Sequence, residues 1–314
     1  MIRFCRNMLV MMRVANLPTV WTNITAGWVL GICHVAFDVG DHSRLLGLIF
    51  NLRFGLILFG ASAVYAAGMI LNDIFDWGWD KEHRPERPLA SGQVSLAAAK
   101  TVAISLLGIG VALVILGAAP AARFLAAQLV LILVGFVFVY NRWHKGVAWA
   151  PYVMGLCRFM LPVIGFAAVG AAPVASATAI GILFTYAASL WLLTVSITLL
   201  ARHETRPEGL RSKKDFLLLL VPVPLLTVLP WNGLIWVSAA GFWLWVLISN
   251  RRHPLPLGVG GRVEDRLAAF PFIDAMAVGL AFGILSPLVA VVVHAFLLGC
   301  FVLIIGGRRF VPVT

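Results

Sequence analysis

The chain has 314 residues, of which 61% are hydrophobic and only 12% charged, and its mean hydropathy is +0.97. That composition excludes a soluble globular enzyme. It points to a polytopic helical membrane protein, because several apolar runs reach the roughly 20 residues needed to cross a bilayer as a helix. The formal charge of +11 does not point to nucleic acid, since the basic residues sit in short clusters between apolar runs.

In chain order, the predicted spans are 17–36, 55–74, 97–118, 123–140, 148–169, 174–200, 215–229, 231–249, 267–286 and 288–306. The stretch 267–306 reads either as one long kinked helix or as two, giving nine or ten transmembrane helices. Arg3, Arg6 and Arg13 precede the first span, which is expected to be a retained helix and not a cleaved signal. Lys81, Arg84 and Arg87 follow the second, Arg142 and Lys145 the fourth, and Arg202 with four further cations the sixth. Arg251, Arg252, Arg262 and Arg266 follow the eighth, and Arg308 and Arg309 close the chain. Most of the 24 Lys and Arg therefore fall on one side. The positive-inside rule puts that side, and the N-terminus, in the cytoplasm of a multi-pass inner-membrane protein. A charged tail on that same side requires an even helix count, which favours a break at Pro287. The expectation is one domain over 1–314, with its core at 10–286. Cys5, Cys33, Cys157 and Cys300 are scattered and suggest neither a disulfide framework nor a metal site.

The end of the second span carries the chemistry. In NDIFDWGWDKEHRPERPLASG (72–92), a helix continued through residue 80 gathers Asn72, Asp73, Asp76 and Asp80 within an arc of about 100°. Like charges at that spacing destabilise a helix, and carboxylates at a membrane boundary are costly and commonly functional. A shared hard cation offsets both terms, and Mg²⁺ bound to phosphate uses one or two carboxylates plus substrate oxygens. Arg84 and Arg87 follow, with Pro85 and Pro88 stopping the helix; acids and then arginines suit a diphosphate. The bland alternative is a solvated helix end, with Trp77 and Trp79 as interfacial anchors.

Asn72-Asp73-x-x-Asp76-x-x-x-Asp80 followed by Arg87-Pro88-Leu89-Ala90-Ser91-Gly92 resembles the first signature of the UbiA-type intramembrane prenyltransferases. Asn16 and Asn23, in NLPTVWTNITAG, resemble that family's first-helix asparagines. RPERP, MGLCR and ARHE resemble a divergent branch of the family, similar to the ebo-cluster members. The resemblance implies an all-α bundle with a central cavity. It also implies Mg²⁺, a polyprenyl diphosphate donor, and transfer of the prenyl group to an acceptor, aromatic or lipophilic. On it, Asp73, Asp76 and Asp80 are the catalytic metal-binding acids, and Asn72, Arg84 and Arg87 hold the diphosphate.

The chain departs from the family after the sixth helix. LTVSITLLARHETRPEGLRSKKD has no second DxxxD, leaving Glu204 as the carry-over metal ligand among Arg202, His203 and Arg206. Three readings stand: one metal with basic side chains neutralising the rest; two metals with Glu204 and another ligand such as Asp215; or binding of an isoprenoid or anionic lipid without transfer, or a reaction outside the family norm. Lys145, in NRWHKG, is either a loop lysine reaching the diphosphate or a plain flanking charge. Arg158, inside the fifth helix, is either a substrate contact or a structural partner of a carboxylate. Asn16 and Asn23 either line the cavity or bond between helices, and Asp274 is a weaker candidate. Gly27-x-x-x-Gly31 and Gly279-x-x-x-Gly283 suit close helix packing. No P-loop, GxSxG or HExxH is present. A transporter, the rival from another class, would place its binding groups near mid-membrane on broken helices.

Overall fold

The computed structural model describes residues 2–39, 45–170, 176–202, 216–228, 233–255, 258–279 and 287–308. The chain opens with helix α1 (Ile2–Met11) and a single 3₁₀ turn (Val14–Asn16), then enters α2 (Leu17–Val39) and the short α3 (Leu45–Ile49). Next come α4 (Leu52–His83), α5 (Leu96–Gly117), α6 (Arg123–Trp143), α7 (Ala150–Ala168) and α8 (Ala177–Ala201). The last part holds α9 (Phe216–Leu219), α10 (Val223–Val228), α11 (Gly233–Arg252), α12 (Val259–Leu267), α13 (Phe270–Gly279) and α14 (Pro287–Gly307). Among the described residues there is no strand.

Seven helices are long and apolar enough to cross a membrane by length and composition: α4, α5, α6 with its preceding turn, α7, α8, α11 and α14. Each matches a predicted span. Helix α2, with 23 residues, is long enough as well but buries Thr19, Thr22, Asn23 and Thr25. The expected span 215–229 is not one helix. It breaks into α9 and α10, of four and six residues, because Pro222 and Pro224 each remove a backbone donor and crowd the preceding turn. The 267–286 stretch starts as α13, and its remainder after Gly279 lies outside the described residues, as does the second half of the Gly279/Gly283 pair.

Helix α7 is central, packing against α2, α6 and α8, while α4 lies along α5 and α13 fits among α2, α11 and α14. Lipid tails give apolar helices little reason to associate, so close backbone contact must do so. The glycines supply it. A Cβ on Gly27 would lie 2.1 Å from the Pro162 carbonyl oxygen, so α2 and α7 touch backbone to backbone. Gly60 and Gly110 do the same between α4 and α5, each facing the other's carbonyl at 2.8 Å. Outside the bundle, Phe59, Ile104, Phe124 and Val302 are exposed, as expected of a surface solvated by acyl chains.

Helix α4 runs past its predicted end to His83, and its buried face there includes Asn72, Asp73, Asp76 and Asp80. It stops where Arg84 leaves helical geometry, with the Arg84 N–H closing on the Asp80 carbonyl at 2.8 Å. The following Pro-rich turns fold the chain back: the Ser91 hydroxyl donates to the Arg87 carbonyl at 2.9 Å, and Gly92 takes φ +75°, a value that suits a residue without Cβ. Helix α1 caps this loop, with Asn7 Nδ2 donating to Gln93 Oε1 at 3.0 Å and Met8 and Met11 packing near Ile70, Leu71, Leu89 and Val94.

Candidate active site

A cavity of about 850 Å³ opens at the charged end of the bundle. Asn16, Asn72, Asp76, Asp80, Arg84, Arg87, Lys145, Arg158 and Arg202 all line it, so most of the residues singled out from the sequence converge on one space. Asp73 stands beside the same cations. Asn23 lies just behind the wall, through its contact with Arg158. Glu204, with His203, Arg206 and Asp215, lies outside the described residues.

The acids on α4 are buried and compensated. Arg87 Nη1 reaches Asp80 Oδ2 at 2.9 Å and Asp73 Oδ1 at 3.4 Å. Arg13 Nη2 approaches Asp73 Oδ1 at 3.7 Å and Asn72 Oδ1 at 3.5 Å. Lys145 Nζ sits 2.7 Å from Asp76 Oδ1, and His144 Nε2 lies 3.4 Å from Asp76 Oδ2. Asn72 donates to Asn141 Oδ1 at 3.2 Å, and Asn141 donates to the Gly68 carbonyl at 3.1 Å. This web fixes the rotation of α4 against α6 and holds the acid face toward the cavity.

Two oxygens in the web are buried without a hydrogen-bond partner: Asp80 Oδ1 and Asn16 Oδ1. An orphaned carboxylate oxygen in a low-dielectric setting is costly, and a hard cation is the partner that fits it. Among the described residues no three His, Cys, Asp or Glu side chains gather closely enough to form a complete metal cage. The residues therefore fit a Mg²⁺ held by one or two carboxylates with the remaining positions left to substrate oxygens, as is usual for Mg²⁺ on phosphate.

Arg84 and Lys145 flank the Trp79 ring at 5.8 and 4.1 Å, and Arg202 donates through Nη2 to the Val147 carbonyl. Deeper in, Arg158 is 5% exposed and donates to Asn23 Oδ1 at 3.2 Å. Asn23 Nδ2 in turn donates to both oxygens of Asp274, at 2.9 and 3.1 Å, and the Tyr186 hydroxyl donates to Asp274 Oδ1 at 2.5 Å. Both sequence readings of Arg158 thus have a counterpart: it lines the cavity, and a carboxylate stands in its neighbourhood.

Sequence reasoning passed over Arg13, His144, Asn141, Tyr65 and Tyr140 as site residues. Arg13 was visible only as one of several flanking charges. Its backbone sits at φ 49°, ψ 49°, the sole non-glycine at positive φ among the described residues, and this turn carries its side chain to α4. Tyr140, Asn141 and His144 share the YNRWHKG segment with Lys145, so the lysine was the available pointer to all three.

The family model for the UbiA prenyltransferase family matches residues 29–256. A digeranylgeranylglyceryl phosphate synthase of Ignicoccus hospitalis is 36% identical over 96 residues, covering 31% of this chain and 29% of that protein. A protoheme IX farnesyltransferase of Pectobacterium carotovorum is 36% identical over 115 residues, covering 36% of this chain and 38% of that protein. The chain thus spans about a third of the length of these two relatives. A solved structure described as a digeranylgeranylglyceryl phosphate synthase superposes with a TM-score of 0.58 at 18% identity, covering 90% of this chain and 99% of that one, which shows the shared fold. The chain belongs to the UbiA prenyltransferase family.

Proposed function

We propose that this protein transfers a polyprenyl group from an allylic prenyl diphosphate to an acceptor within the membrane, with Mg²⁺ as cofactor. The observation that carries the reading is the interleaving of buried acids with arginines and a lysine at the mouth of an apolar cavity. A prenyl diphosphate has those two ends: a strongly anionic head and a long apolar tail. The names of the two relatives, a geranylgeranyl-containing product in one and a farnesyl group in the other, fit the same class of reaction with different acceptors.

Asp73, Asp76 and Asp80 would hold the metal. When bound, Mg²⁺ neutralises charge on the departing diphosphate. The chain's own cations do the rest. Arg87 and Lys145, now paired with the carboxylates, turn to phosphate oxygens once those carboxylates have another cation. Arg13, Arg84 and Arg202 line the same opening and add donors where negative charge grows. The C1–O bond of the donor breaks with its electron pair leaving on the diphosphate. The acceptor then supplies the pair for the new bond to C1 and releases a proton. Tyr65, Tyr140 and Phe270 line the cavity; this aromatic lining keeps water from capturing the allylic cation. A single metal suffices here, because basic side chains supply the neutralisation that a second acid motif provides elsewhere in the family. The charged end then faces the cytoplasm, in keeping with the distribution of basic residues.

The test is donor turnover by purified protein in nanodiscs. Labelled geranylgeranyl diphosphate is followed with and without Mg²⁺, with a membrane-free extract as acceptor pool, beside Asp76→Ala. The expected result is Mg²⁺-dependent release of diphosphate that the variant loses. Absence of binding for every donor chain length would overturn the reading.

A further inference from the structure

Helix α12 is short and charged, yet it forms part of the cavity. It has nine residues, below the length at which a helix holds by itself, and no side chain caps its N-terminus. Its Val263 and Leu267, four residues apart, line the cavity together with Phe270 at the head of α13. They give an apolar side to a space whose rim is charged. Contacts from outside α12 must therefore keep that side in place.

Three side chains from other elements supply them. Trp245 of α11 donates through Nε1 to the Asp265 carbonyl at 2.6 Å. Arg308, just past α14, donates through Nη2 to the Glu264 carbonyl, and its Nη1 lies 3.3 Å from Asp265 Oδ1. His253 Nε2 stands 3.4 Å from Asp265 Oδ2. The last turn of a helix leaves its carbonyls short of partners, and here an indole and a guanidinium from two other helices meet them. The Arg308 and Asp265 side chains are each 11% exposed, so water screens their contact little. Arg308, Asp265 and His253 are not among the residues that line the cavity. The same end of α14 also meets the start of the chain. A Cβ on Gly307 would come 3.6 Å from the Ala15 Cβ. The turn that holds Ala15 carries Arg13 and Asn16, both on the cavity. The end of α14 thus joins two parts of the cavity's border that are far apart in sequence.

We propose that Arg308, acting through Asp265, is a positioning residue of the active site: it clamps α12 as a closed wall of the cavity and keeps the Arg13 turn in register with it. The consequence for chemistry rests on the transferase reading above; the clamp itself does not. A loosened α12 admits water beside the allylic cation. Water then gives its lone pair to C1 and releases a proton, so the donor ends as prenyl alcohol and diphosphate without reaching the acceptor. The clamp therefore governs the partition between transfer and hydrolysis.

The experiment uses the full chain in nanodiscs, as wild type, Arg308→Gln, Arg308→Lys and Asp265→Asn. The first readout needs no turnover: amide hydrogen exchange read by mass spectrometry over 259–267 and 14–16. Arg308→Gln should speed exchange in both stretches at least about tenfold and leave α5 unchanged. Asp265→Asn keeps the shape of the contact without its charge and should show a smaller change of the same kind. The second readout is the fate of labelled geranylgeranyl diphosphate with Mg²⁺ and the acceptor extract. The share recovered as prenyl alcohol should rise severalfold in Arg308→Gln and return toward wild type in Arg308→Lys, which restores the charge. A merely structural loss would reduce the amount of active protein and leave that share unchanged; this result would overturn the positioning role. Wild-type exchange over 259–267 in both Arg308→Gln and Asp265→Asn would overturn the clamp. If the wild type releases no diphosphate, the transferase reading fails, and the exchange readout still decides the clamp.

Discussion

Replacing Arg87 by alanine separates the structural part of the charged end from its proposed substrate role. Arg87 is the closest cation to Asp80, at 2.9 Å, and the side chains of the pair are 16% and 3% exposed. Removing one partner of a buried pair leaves an uncompensated charge and costs about 3–5 kcal/mol. Asp73 keeps Arg13 at 3.7 Å, so the loss falls mainly on Asp80, and about 3 kcal/mol is the appropriate figure. In a chelator this should lower the melting temperature by roughly 5–10 °C. The same change frees both oxygens of Asp80. Mg²⁺, which in the wild type competes with Arg87 for this carboxylate, should then bind about tenfold more tightly and restore much of the lost stability. Donor affinity should move the other way, since a phosphate ligand is gone. The assay is a thermal-shift titration of wild type and Arg87→Ala in nanodiscs with Mg²⁺, repeated with pyrophosphate. A variant as stable as the wild type in chelator, or one that binds Mg²⁺ no better, would refute the idea that Arg87 holds the metal's place.

The other predictions test particular contacts. Arg13→Gly relieves a left-handed backbone conformation worth about 1 kcal/mol but removes a cation 3.7 Å from Asp73, which keeps Arg87 at 3.4 Å; stability should fall less than in Arg87→Ala while the KM for the donor increases, measured by turnover against thermal melting. Gly27→Ala places a methyl 2.1 Å from the Pro162 carbonyl oxygen, and since neither backbone can yield cheaply it should cost upward of about 1–3 kcal/mol, read as lost monodisperse protein in detergent. Diphosphate release should rise with Mg²⁺ along a simple one-site hyperbola; a sigmoidal dependence would indicate two cooperating ions and bring Glu204 into the site.

The main lines of the bundle were legible because hydropathy dictates them: a 20-residue apolar run in lipid has to be helical to satisfy its own backbone. The acid face of α4 was legible for the same reason, since a spacing of four residues on a helix fixes a common side. What the sequence could not give is which cations return to those acids. Arg87 was near at hand in the chain. Arg13 approaches Asp73 from another element altogether, through a turn whose positive φ has no glycine to announce it. His144 and Lys145 meet Asp76 only because α6 ends beside α4. The break at Pro222 and Pro224 was visible in composition, yet an average over 215–229 is apolar enough to mask it. Asp274 and Tyr186 were the least legible, because an isolated acid in an apolar helix gives no sign of its partner until α2, α8 and α13 are packed.

The two polar regions of the bundle answer the same physical problem in opposite ways. Acids placed in a membrane protein must be paired, or they lose their charge or their fold. At the mouth, Asp73, Asp76 and Asp80 are paired with the very cations a diphosphate requires. In the proposed reaction, binding is thus an exchange of partners: metal replaces Arg87 and Lys145 on the carboxylates, and the released side chains meet phosphate, so no new uncompensated charge is buried. At the floor, Asn23 bonds both Asp274 and Arg158, so acid and base are linked through a neutral amide and no exchange of partners is needed.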